Sequence, residues 1–457
     1  MSGNNQKEAS LVEILVYGMG DVGANFCWSF MAAYITMYYT DSVGISGAVA
    51  GTIMLVARIF DGISDVLFAA LIDRCHMKLG KIRPWFLISA PLLGVGLYAS
   101  YHVPQGLADQ AKIIYVFVTY TFVAAVAFTI YNLAYSAILP LMTLDEGNRN
   151  VVATAGRFFT LGGIAILNYV TPLLLAMWGG ERSKGAWDTI SLVYAIICTV
   201  LVAMMGISIK EKELPKNEML ESQKGDEQGK EKGSFMENLK IILSTKYTWL
   251  LIVLFLVFYF INSVYAIRAY YYRDVLGDLN FFSVGAMLAY LPSLFVLPFV
   301  PYLFKVIDRR KAIMFGMGIY VVITVVWTVM PKSVTVAYIC TAMMAASWTP
   351  LMTAMFIYIA DIADYIWLRQ KKHVEHVVAM TSSIGTKIGT GLGSAVVGWG
   401  LSWCQYDGAK EIQDSVTQSG IVTLTTAIPL ICAVFILVIV FFWDIDKVKE
   451  KYRLAEK

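Results

Sequence analysis

The chain predicts an all-α membrane protein with twelve transmembrane helices in two six-helix bundles, and three observations lead there. Of 457 residues, 58% are hydrophobic and 15% charged, where an ordinary soluble domain carries about 25% charged residues. Apolar runs of about 20 residues, long enough to cross a bilayer, recur along the whole length. The long polar stretch EKELPKNEMLESQKGDEQGKEKGS, at 211–234, divides them six and six.

The spans before that stretch are read at 11–39, 46–72, 84–103, 112–140, 151–178 and 187–209. Those after it are read at 247–273, 281–306, 311–330, 335–366, 376–403 and 420–444. The expected units are therefore 1–210, a connecting segment at 211–245, and 246–457. Rich in Lys, Glu, Gln and Gly and lacking an apolar stripe, the connection is expected to be a flexible cytoplasmic linker. A weak internal echo supports the division, with Asp73-Arg74 expected to close the second span and Asp308-Arg309 the eighth. A looser echo sets Asp145 to Arg149 beside Asp361, Asp364 and Arg369. Parallel six-helix repeats mark a transporter architecture in which the substrate sits near midplane and the halves rock.

Short loops rich in Lys and Arg face the cytoplasm. Arg74, Lys78, Lys81 and Arg83 follow the second span, Lys305 to Lys311 the eighth, and Arg369, Lys371 and Lys372 the tenth. The alternate loops are poorer, so both termini are expected in the cytoplasm, with the chain multi-pass in the cell membrane. The start, MSGNNQKEAS, lacks the pattern of a cleaved signal. A net charge of +3 gives no nucleic-acid footprint. The six cysteines lie mostly within spans without a CxxC pair, so small packing residues are expected rather than a disulfide or zinc framework. No HExxH, GxSxG or P-loop pattern is present, which argues against an enzyme or an ATP-driven pump. No cofactor is expected, and the protein is expected to work as a monomer in the lipid bilayer.

The segment ARIFDGISDVLFAALIDR, at 57–74, is the informative one. Asp61 and Asp65 stand one helical turn apart, where each carboxylate costs about 2.5–3.5 kcal/mol even on the forgiving insertion scale. Three remedies exist. One acid holds a proton because crowded carboxylates raise each other's pKa; a hard cation is chelated between them; or Arg58 or Lys387 neutralises them. Intramembrane acids default to a functional role.

DGISDVLFAALIDRCHMKLGKIRPW resembles the signature of the glycoside–pentoside–hexuronide cation symporters, the branch of the major facilitator superfamily that includes melibiose permease. YGMGDVGANF, TIYNLAYSAILP, GRFF at 156–159, ADIADY at 360–365 and SSIGTKIG at 382–389 extend the resemblance over nearly the full length, in the expected order. It implies the major facilitator fold and uptake of a sugar, glycoside or hexuronide coupled to Na⁺, Li⁺ or H⁺. It also implies that Asp61 and Asp65 hold the coupling cation, as the metal ligands if that cation is Na⁺, with Thr129 close by. Sugar-contact positions carry over to Asn25, Asn132, Ser136, Arg157, Trp348 and Lys387. Arg, Trp and Lys are kept; the two acids have become Asn25 and Asn132, and the aromatic has become Ser136. Loss of two negative charges makes the expected pocket more hospitable to an anionic sugar.

Arg268, in SVYAIRAYYYRD, adds a further cation, with two readings: lining the pocket, or snorkelling outward among interfacial tyrosines, the latter preferred. Trp348 reads as a sugar-stacking ring beside Pro350 or as a packing aromatic. Asp73, Arg74, Arg83, Asp361 and Asp364 read equally as helix-end charges or as gating pairs on the cytoplasmic side. HVEH, at 373–376, fits no metal spacing and reads as solvated loop. An amphipathic, lipid-like solute is the alternative cargo on the same fold.

Overall fold

The computed structural model describes residues 8–75, 77, 79–143, 145–212, 240–370, 372, 374–446 and 448–449. The greater part of the expected linker lies outside these residues. Twelve helical rods are present among them. The first half comprises α1 (Leu11–Met37), α2 (Gly47–Arg74), α3 (Arg83–Tyr101), α4 (Asp109–Met142), α5 (Glu146–Met177) and α6 (Lys184–Ser208). The second comprises α7 (Lys246–Val275), α8 (Asn280–Val306), α9 (Arg309–Val329), α10 (Val334–Gln370), α11 (Glu375–Trp403) and α12 (Ser415–Phe441). Eight of the twelve are long and apolar enough to cross a membrane by length and composition alone; α1, α2, α3 and α11 are not among them. The charges Asp21, Arg58, Asp61, Asp65 and Lys387 fall on α1, α2 and α11, the last four in the cavity wall between the halves.

Polar residues start the helices as backbone chemistry requires, because the first N–H groups of a helix lack partners. Ser10 and Glu13 form a reciprocal capping box on α1. Ser46 caps α2, Asp145 caps α5, Ser183 caps α6 and Asp308 caps α9. Asp308-Arg309 thus opens α9 and does not close α8, which corrects the expected echo with Asp73-Arg74.

A different echo is exact in form. Tyr38-Tyr39-Thr40-Asp41 ends the first rod and Tyr271-Tyr272-Arg273-Asp274 ends the seventh, each in a widened π-type turn. Three residues after each aspartate comes a glycine at positive φ, Gly44 at 79° and Gly277 at 93°, a backbone region that side chains disfavour. The two halves therefore turn their first corner with the same device.

Across the interface α2 packs on α11, and α5 on the start of α8. The α2–α11 crossing is closest at small residues. A Cβ on Gly398 would stand 2.2 Å from the Gly47 carbonyl, and one on Gly51 2.8 Å from that of Ala395. Small residues let helix backbones meet where lipid supplies no hydrophobic drive.

Candidate functional site

Between the halves lies a cavity of about 620 Å³, walled by α1, α2, α4, α5, α7, α8, α10 and α11, with α3, α6, α9 and α12 outside it. At the end opposite the termini, side chains from the two halves seal it. Arg273 pairs with Asp41 across the interface and with its neighbour Asp274 at 3.0 Å. Tyr406 donates to Asp41 at 2.9 Å, and the hydroxyls of Thr40 and Tyr270 meet at 3.0 Å. The Ser402 hydroxyl accepts from the Ala48 N–H at 2.7 Å. Toward the other end the wall becomes wet: Asn132 is exposed, as is Ser136 one turn further along.

Asp61 and Asp65 sit on the cavity side of α2. Asp61 is buried and carries three partners: Arg58 Nη1 at 3.4 Å, Lys387 Nζ at 3.3 Å, and the Thr129 hydroxyl, which donates at 3.1 Å. Asp65, one turn nearer the wet end, is 38% exposed at its side chain and meets Lys387 Nζ at 2.6 Å. Lys387 also donates to the Asp61 backbone carbonyl at 2.7 Å. Arg58 in turn lies over the Trp28 ring at 4.2 Å. Two cations against two carboxylates balance the cluster, which is the third of the remedies open from sequence. The ammonium of Lys387 comes from the opposite half, so the balance holds only while α2 and α11 are together. The carboxylate oxygens of Asp61 and Asp65 that hold this ammonium, with the Thr129 hydroxyl on Asp61, are the hard donors that Na⁺ or Li⁺ prefers.

Of the expected sugar positions, Asn25, Asn132, Trp348 and Lys387 line the cavity. Arg157 is exposed and Ser136 faces water, both outside the lining. Trp348 stacks on Phe258 at 4.7 Å and tilts toward Tyr320, so it is held by packing while it lines the cavity. Asn25 donates to the Asp21 backbone oxygen at 2.9 Å and to its carboxylate at 3.0 Å. Asp21 also accepts from Tyr131 at 3.1 Å and touches the Thr160 hydroxyl. This buried carboxylate escaped the sequence reading, although GMGDVGANF displays an acid inside a span. Its effect is to turn both amide hydrogens of Asn25 inward and leave its carbonyl oxygen to accept.

Arg268 does not snorkel. It is 5% exposed and lines the cavity, and Tyr270, Tyr271 and Tyr272, expected at the interface, are fully buried. The helix is interrupted at Tyr265 and Ala266, just before it, and such breaks occur where a cavity can receive the freed backbone groups. Its guanidinium lies 3.8 Å from the Tyr265 ring centroid and 5.4 Å from that of Trp327. Cation–π contacts contribute about 2 kcal/mol when desolvated, less than the several kcal/mol that burial of an ion costs.

Three of the expected gating charges, Arg83, Asp361 and Asp364, find partners within their own halves. Arg83 donates to the carbonyls of Gly206 and Ile207. Asp361 meets Arg309 at 2.7 Å and Lys449 at 3.0 Å, and Asp364 meets Lys449 at 2.7 Å. Arg74 has a partner too; the Asp73 side chain and HVEH residue His373 lie outside the described residues. Among the described residues no group of three or more His, Cys, Asp and Glu is placed to hold a metal, and all six cysteines are free.

Two helical bundles clasping a polar midplane cavity, sealed at one end, define a secondary transporter of the major facilitator type. The chain belongs to the MFS/sugar transport protein family, which it matches over residues 16–447, and so to the glycoside–pentoside–hexuronide symporters. It is 27% identical to an uncharacterized symporter, YnaJ, of Bacillus subtilis, over 100% of this chain and 96% of that one. It is 26% identical to the isoprimeverose transporter of Lactiplantibacillus pentosus, over 95% and 89%. Among solved structures, a D-xylose-proton symporter superposes with a TM-score of 0.64 at 12% identity, over 94% of this chain and 97% of that one. The protein is thus a multi-pass membrane transporter of the sugar-symport class, and not an enzyme.

Proposed function

We propose that the protein imports a sugar, glycoside or hexuronide together with Na⁺, Li⁺ or H⁺ by alternating access, with both termini in the cytoplasm. One observation carries the reading: the Lys387 ammonium of the second half sits between Asp61 and Asp65 of the first. In the conformation sealed at the far end, that ammonium supplies the positive charge. Rocking open at the far end separates α11 from α2 and withdraws it. The two carboxylates then stand one turn apart, facing a wet cavity, and their mutual repulsion favours capture of a cation or a proton. Return to the sealed state brings Lys387 back, and it displaces the captured cation toward the cytoplasm. The solute binds in the cavity above the same residues, with Asn25, Asn132, Trp348 and Lys387 in its wall. Cation and solute affinities are then linked reciprocally, by about 1–3 kcal/mol.

The test is uptake in proteoliposomes of a panel of labelled sugars, isoprimeverose and other glycosides included, with and without inward Na⁺ or H⁺ gradients. Gradient-driven accumulation by the wild type, lost in Asp61→Asn and in Asp65→Asn, is the expected result. Undiminished uphill accumulation in either variant overturns the coupling scheme.

A further inference from the structure

We infer that the solute carries an anionic group, a sugar carboxylate, and that Arg268 in the second half seats it; this deepens the sugar-symport reading above and rests on it. The charges facing the cavity do not balance. Five charged side chains line it: Arg58, Asp61, Asp65, Arg268 and Lys387. The two carboxylates are taken by Arg58 and Lys387. Arg268 is left over, with neither Nε nor Nη2 meeting a hydrogen-bond partner although both are buried.

A guanidinium kept for structure ordinarily comes with an acid, since breaking or omitting the partner leaves a buried charge uncompensated. Here the Tyr265 and Trp327 rings flank it and no carboxylate of the described residues pairs with it. A neutral sugar hydroxyl in the cavity offers the guanidinium a hydrogen bond and leaves its charge unmet. A carboxylate satisfies both, because its two oxygens match the planar fork of arginine. Tyr290 and Ser293 line the same wall and offer hydroxyls to the rest of the ligand.

The opposite wall is compatible. Where acids would repel a carboxylate, the first half presents the amides Asn25 and Asn132. A further acid, Asp21, bonds to Asn25 from outside the lining, with its oxygens engaged by Asn25, Tyr131 and Thr160. The pocket therefore has a negative pair on α2 already matched and an unmatched positive centre on α7, the disposition that fits a hexuronide oriented with its carboxylate toward the second half.

The experiment compares matched pairs of probes on the purified full-length protein in lipid nanodiscs, by calorimetry and thermal shift. Each pair is a p-nitrophenyl hexuronide and the corresponding neutral hexoside, in gluco and galacto configuration and in both anomers. The expected result is that the acidic member of at least one pair binds about 10–100-fold more tightly, the range of one charge-assisted hydrogen-bonded contact. In Arg268→Gln that ratio collapses toward one. Equal binding of acidic and neutral members throughout the wild-type panel overturns the inference and leaves sugar symport standing. A preference that persists in folded Arg268→Gln overturns the assignment to Arg268. Absence of binding by every sugar, acidic or neutral, overturns both the inference and the reading beneath it. Because the wild-type comparison needs no variant, a misfolded Arg268→Gln does not remove the test.

Discussion

Replacing Lys387 with Gln removes the ammonium that joins the halves at the charged cluster while keeping the side chain's reach and polarity. The size of the effect follows from the geometry. Lys387 stands 2.6 Å from Asp65 and 3.3 Å from Asp61, with Asp65 38% exposed. At an effective dielectric of about 40, between surface and bulk values, those contacts are worth about 3 and about 2.5 kcal/mol before desolvation. Desolvation and side-chain ordering cancel most of that, as they do for half-exposed pairs, leaving about 1–2 kcal/mol. The sealed state of Lys387→Gln is therefore disfavoured about 5–30-fold relative to wild type. Spin labels at Asp109 and Ile412, on opposite halves at the sealed end in a cysteine-free background, report the change as growth of a longer-distance population. Na⁺, Li⁺ or acid added to the wild type shifts the distribution in the same direction, because each replaces the ammonium. A distance distribution identical in wild type and variant, with no response to cations, refutes the reasoning.

Two further substitutions test the seal. Arg273→Gln leaves the buried carboxylates of Asp41 and Asp274 without their cation; at about 3–5 kcal/mol for a broken buried pair, the melting temperature falls and a cysteine at Ala32 becomes reactive toward impermeant maleimide from the far side. An unchanged reactivity and melting temperature would show that the pair does not hold the seal. Gly398→Val places side-chain carbons where the Gly47 carbonyl now stands 2.2 Å from an ideal Cβ, so α2 and α11 cannot close. Maleimide labelling at Ala32 then rises and gradient-driven uptake falls; normal uptake by this variant contradicts the close crossing.

Eight of the spans were legible because a lipid-crossing helix has little freedom in composition, and the twelve rods differ from the expected spans only by a few residues at their ends. Asp61 and Asp65 were legible for the opposite reason, as acids where the surroundings penalise them. Arg58 is legible as a counterion because it stands three residues before Asp61, whereas Lys387 is reached through the family resemblance. Thr129 stands 3.1 Å from Asp61, a position taken from family resemblance and not from the pattern of residues around it. Arg268 was misread because tyrosines populate membrane interfaces and packed cores alike, so YAIRAYYYRD does not declare which surrounds its arginine. The Asp21 cluster assembles hydroxyls from α4 and α5, more than a hundred residues away in the chain. The π-type turns were hidden too, although the paired YYTD and YYRD strings that form them were in plain view.

The repeated corner has an asymmetry that bears on how easily the far door swings. Up to the aspartate its two copies differ at one place, Thr40 in the first half and Arg273 in the second. A lone guanidinium consequently serves two aspartates, one on each leaf, and when the leaves part it keeps Asp274 as its companion. Asp41 and, at 3.9 Å, Glu181 of the first half lose it, and solvent entering the opening gap rehydrates them. No charge is stranded in a dry place during the swing, so a latch strong enough to hold the closed form need not lock it.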